Sequence, residues 1–71
     1  MIPFEKRLLS ILVERDITVS RFCFDTGINR VSFFHKNHSH YRSTYMAIAY
    51  YLGMRVEDLI AGTSAENDWY G

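Results

Sequence analysis

Apolar residues recur along this chain in a helical rhythm, not an alternating one. From Phe4 they return at Leu8, Ile11 and Leu12, three and four apart, and Leu9 and Val13 widen the stripe. That spacing predicts a packing helix over about 3–15, opened by Pro3, a residue suited to a first helical turn. Asp16-Ile17 then turns the chain into Thr18, whose hydroxyl can cap a second helix over about 19–26. Phe22 and Cys23 fall on its inward face, with Ser20, Arg21, Phe24 and Asp25 more outward. Gly27 stands where a helix ends in the left-handed conformation that a side chain resists. Ile28 follows as an apolar plug, Asn29 can cap again, and a third short helix is expected over about 30–36. If Ile28 and Phe33 point inward, Arg30, Val31, Phe34 and His35 face out.

A polar stretch over 37–42 reads as loop. The clearest helix begins at Ser43, with Tyr45, Ile48, Ala49 and Leu52 as its inward stripe and Gly53 as its C-cap. Tyr50 and Tyr51 widen the apolar surface beyond what a monomer needs. A fifth helix over about 56–61 carries Val56, Leu59 and Ile60, and Glu57 and Asp58 suit the positive end of its dipole. Gly62 closes it. Residues 63–71 are polar apart from Trp69 and Tyr70, which fold back or complete a partner surface. The expected architecture is all-α: a compact five-helix bundle over 1–62 and a C-terminal tail over 63–71.

Seventy-one residues make one domain near the lower limit for a self-sufficient core. Apolar residues make up 48% of the chain, with five Phe, five Tyr and one Trp, which argues against disorder. One cysteine excludes an intramolecular disulfide and a four-cysteine zinc site. Cys23 lacks an adjacent base, so it reads as a small side chain in a tight helix contact. His35, His38 and His40 invite a metal reading, but their spacing is not that of a zinc motif and no cysteine or carboxylate completes the set. No apolar run reaches membrane length and MIPFEKRLL lacks the order of a signal peptide, so a soluble cytoplasmic domain is expected. No carboxylate pair, nucleophile–base set or phosphate loop points to an enzyme.

Net charge is zero, yet its distribution is lopsided. Residues 21–42 hold Arg21, Arg30, Lys36 and Arg42 against Asp25 alone, a local excess of three positive charges. The third helix thus lies in the basic part of the chain. Its Phe34 has two readings. Either it is buried in this core or a dimer contact, or it touches a thymine methyl or the sugar backbone.

From Leu8 to about Gly62 the chain resembles the lambda-repressor-like helix-turn-helix family of Cro-type or XRE-type regulators. The resemblance rests on Ile17-Thr18 at the motif entry, Cys23 at the small-residue site and Gly27-Ile28-Asn29-Arg30 at the turn. Ile48 to Met54 looks like the end of helix four, and Glu57-Asp58-Leu59 like the start of helix five. Val19 stands where glutamine is usual. The resemblance implies a bundle that binds double-stranded operator DNA as a homodimer, on a palindrome with half-sites roughly 10 bp apart. By position it implies Arg30, Val31, Phe34 and His35 as base readers, and Thr18, Ser20, Arg21, Lys36, Asn37 and His38 as phosphate contacts. No metal, cofactor or small-molecule ligand is expected, and regulation would follow the abundance of the protein or a partner, as in small phage or mobile-element repressors. The alternative is a protein-interaction module on the same fold, antitoxin-like or co-regulatory, using Phe34, Tyr50, Tyr51, Trp69 and Tyr70.

Overall fold

The first helix of the computed structural model, α1 (Pro3–Glu14), buries Phe4, Leu8, Ile11 and Leu12 along the expected stripe. The described residues are 2–35 and 39–71. Val13 departs from the stripe: it is 79% exposed, while Leu9 is only half-buried. The helical angle explains this, since Val13 lies about 100° beyond Leu12 and past the edge of the packed face. Asp16 ends the turn at φ 58°, a left-handed conformation that aspartate tolerates better than most side chains. Its neighbour Ile17 donates back to the Leu12 carbonyl at 2.9 Å.

Helix α2 (Val19–Thr26) and helix α3 (Arg30–Phe34) are both capped as the sequence predicts. The Thr18 hydroxyl accepts from the Arg21 N–H at 3.1 Å, and the Asn29 side-chain oxygen accepts from the Ser32 N–H at 2.9 Å. Gly27 between them has φ 75°, and its N–H bonds the Cys23 carbonyl. Thr26 braces the same corner. Its hydroxyl donates to the Phe22 carbonyl at 2.8 Å and accepts from the Ile28 N–H at 3.3 Å. Ile28 and Phe33 occupy the two positions of a hydrophobic staple around the Asn29 cap, and both pack on the core.

Helix α4 (Arg42–Leu52) begins one residue earlier than expected and ends at Gly53, φ 65°. There the Met54 N–H reaches back to the Ala49 carbonyl at 2.9 Å, closing a Schellman-type turn. Helix α5 (Val56–Ile60) buries Leu59 and Ile60.

A sixth helix, α6 (Ala65–Tyr70), replaces the expected tail, so the described residues form six helices rather than five. Thr63 starts it, its hydroxyl donating to the Ile60 carbonyl at 2.7 Å and accepting from the Ala65 N–H at 3.2 Å. Glu66 and Asp68 lie in its first turn, where the dipole favours them. Six residues do not hold a helix unaided, so packing must do so. Ala65 is in the core and Trp69, one turn on, packs against it. Arg42 lies over the Trp69 ring at 4.1 Å and donates to its carbonyl at 2.5 Å.

Arginines finish three of the helices. Besides Arg42 on α6, Arg7 donates to the Leu59 and Asp58 carbonyls of α5 at 2.8 and 2.6 Å, and Arg15 donates to the Leu52 carbonyl of α4. Each cation meets orphan carbonyls at or near the negative end of a helix. The radius of gyration is 11.1 Å, close to the roughly 11 Å expected for a chain of this length.

One polar pair lies inside the core. Glu5 has no exposure and the His40 side chain only 2%; Glu5 Oε2 meets His40 Nε2 at 2.8 Å. The other carboxylate oxygen accepts from the Ile2 N–H at 3.4 Å, and the His40 N–H donates to the Tyr45 hydroxyl at 3.3 Å. The imidazole stacks on Phe33, centroids 4.2 Å apart and planes 14° from parallel. His40 therefore leaves the solvated loop in which the sequence placed it.

Candidate nucleic-acid interface

The candidate face is the outer side of α3, whose orientation is set by two adjacent aromatics. Phe33 is 5% exposed and Phe34 packs half-buried on the core, so both must turn inward. With 100° between residues, the outward direction then falls on Val31, Ser32 and His35. All three are exposed, Val31 by 67%. Arg30 leads the helix, exposed and without a side-chain partner among the described residues.

This corrects one expected orientation. Phe34 does not face out. It meets Phe33 edge-on at 4.9 Å and lines a shallow recess of about 200 Å³ with Leu9, Val19, Arg30 and His35. Ser32 takes the outward place instead. The signal was present in the sequence, because two consecutive phenylalanines cannot both be buried unless the helix is turned this way.

The expected phosphate contacts are only partly assembled. Thr18 and Ser20 are exposed beside the start of α2. Arg21 is also exposed, but its guanidinium pairs with Asp25 at 2.9 Å, one turn along. Lys36, Asn37 and His38 lie outside the described residues. Arg42 is committed to α6, so it leaves the basic group the sequence offered. The pairing of Arg21 is a weaker loss, since exposed pairs of this spacing are weak and screened by salt. No group of three or more His, Cys, Asp or Glu side chains that could hold a metal occurs among the described residues. No described helix is long and apolar enough to cross a membrane.

Behind Arg21, Asp25 also accepts from the Tyr51 hydroxyl at 2.7 Å, which ties α2 to α4. The Tyr51 bond and then the Arg21 bond hold the Asp25 carboxyl below its ordinary value of 3.8. The same carboxylate holds the Tyr51 phenol above its ordinary 10.0. A lowered acid contributes stability above its unfolded value and loses it as pH falls through the folded one. A raised phenol contributes stability below its unfolded value and loses it as pH rises through the folded one. The tie between α2 and α4 is therefore strongest between about pH 4 and pH 10. Tyr51→Phe should move the Asp25 carboxyl upward toward its ordinary value, as read by a carboxyl NMR titration. A carboxyl that does not move would mean that Arg21 alone sets it.

Two features with functional potential escaped the sequence, the outward place of Ser32 and the burial of His40. Phe24, expected on the outer side of α2, is 83% exposed. Tyr50 on α4 is 90% exposed, whereas Tyr51, Phe34 and Trp69 are half-buried. Between α2 and α4 lies an open groove of about 400 Å³ lined by Asp25, Thr26, Ala47, Tyr50 and Tyr51.

No protein-family model matches this chain, and neither the curated proteins nor the solved structures contain a significant match to it.

Proposed function

We propose that this chain is a sequence-specific DNA-binding regulator of lambda-repressor-like type, acting without catalysis. The observation that carries the reading is the pair α2–α3. Two capped helices meet at a left-handed glycine; the second presents Val31, Ser32 and His35 outward and carries in its first turn an exposed Arg30 without a side-chain partner among the described residues. A short helix with such a face fits the major groove. Arg30 suits guanine, whose O6 and N7 accept a bidentate pair, and Val31 suits a thymine methyl. Thr18, Ser20 and Arg21 flank the helix where phosphates pass. Two copies on a palindrome would double the contact, with half-sites roughly 10 bp apart.

The test is selection of bound duplexes from a random library at low salt, followed by a salt titration. An enriched sequence is expected, with affinity falling at a slope of about −0.9 per neutralised phosphate. Arg30→Ala should cost about 1–3 kcal/mol at one base pair and relax preference there. Arg21→Ala should weaken all sequences alike and reduce the salt slope by about 1. Equal losses on every sequence for both variants would remove α3 as the reader.

A second reading, an interaction module, is favoured by the exposure of Phe24 and Tyr50 and by the engagement of Arg42 with α6. Absence of any enriched sequence at low salt would move the assignment to it.

A further inference from the structure

The Glu5–His40 pair joins three elements at one point. Glu5 comes from the first turn of α1, His40 from the segment leading into α4, and the imidazole lies flat on Phe33 of α3. Edge contacts from Phe4 at 6.0 Å and Tyr45 at 6.2 Å close the sides. A buried pair of this kind stabilises a fold no better than apolar side chains of equal volume, and often less well. What it adds is direction. An apolar contact tolerates rotation and sliding, whereas the Oε2–Nε2 hydrogen bond fixes where the edge of the imidazole ring points. The ring so anchored is the floor on which Phe33 rests.

Helix α3 has five residues, too few to hold its own orientation. Its seat is Phe33, with Phe34 and Ile28 at the edges. Arg30 lies three residues before Phe33 and His35 two after, so turning Phe33 turns the outward face with it. We infer that Glu5 and His40 are positioning residues, which fix through Phe33 the pose of α3 and hence the geometry of its Val31–Ser32–His35 face and of Arg30 in its first turn. The consequence for binding rests on the DNA reading above; the consequence for α3 does not.

The experiment compares wild type, the Glu5→Leu/His40→Phe double variant and Glu5→Gln. The double variant keeps a ring on Phe33 and fills the volume, but has no directional bond. Glu5→Gln keeps an acceptor for Nε2–H. Urea unfolding, amide chemical shifts and hydrogen exchange at residues 28–35, and affinity for a selected site and for random duplex are measured. We expect the double variant to be as stable as wild type. Its α3 amides should shift and exchange at least tenfold faster, and its affinity for the selected site should fall at least tenfold with random duplex little changed. Glu5→Gln should stay near wild type throughout. A stable double variant whose amides at 28–35 match wild type overturns the inference. So does a double variant that fails to fold, because the pair would then serve folding rather than pose. If wild type yields no selected site, the DNA reading fails by itself, and the amide measurements still decide the role of the pair.

Discussion

Replacing His40 alone with phenylalanine should destabilise the protein by about 3 kcal/mol, the upper end of the range for a buried polar group left without its hydrogen-bond partner. The substitution keeps a ring against Phe33 and removes both imidazole nitrogens, among them the Nε2 that meets Glu5. Glu5, with no exposure, then has one oxygen on the Ile2 N–H and the other facing aromatic carbon. A buried carboxyl group without its partner is among the few mechanisms that produce effects this large. A domain of this length has a total stability of about 4–10 kcal/mol, so much of it would go. Urea unfolding followed by circular dichroism measures the loss. A change under 1 kcal/mol would mean that the carboxylate reaches water, contrary to its burial.

Phe22→Ala should be comparably severe, at about 3–5 kcal/mol. Phe22 is the only residue of α2 with no exposure, and its ring meets Tyr51 edge-on at 5.7 Å. Removing the ring opens a cavity between α2 and α4. It also withdraws the support that holds Tyr51 against Asp25, the second tie between the same helices. The control lies two residues away. Phe24 has the same side chain but is 83% exposed, and Phe24→Ala should change stability by less than about 0.5 kcal/mol. Midpoints from urea titrations at constant slope separate the two. Equal effects would mean that the outer face of α2 is covered in solution.

Much of the candidate site is legible in the sequence. Thr18, Gly27 and Asn29 each encode a local backbone event, and local events depend on residues within four positions. The orientation of α3 is less legible for a related reason. Reading Phe33 as inward and Phe34 as outward ignores that both rings need burial, and the error turns the face away from Ser32. The neighbouring buried carboxylate was equally readable in principle. Glu5 lies three residues before Leu8 and seven before Leu12, so it stands on the apolar stripe itself. Nothing in the sequence named its partner, which is 35 residues away.

By itself, then, the sequence determined the helical periods, the caps and the turn between α2 and α3, because these follow from short-range geometry and side-chain chemistry. Tertiary structure alone decided which charges remain available. Arg7, Arg15 and Arg42 finish helices that lie far away in the chain, and Arg21 shares Asp25 with a tyrosine of α4. It also decided that residues 65–70 form a helix, since so short a segment becomes ordered only when Ala65 and Trp69 find a core to pack against.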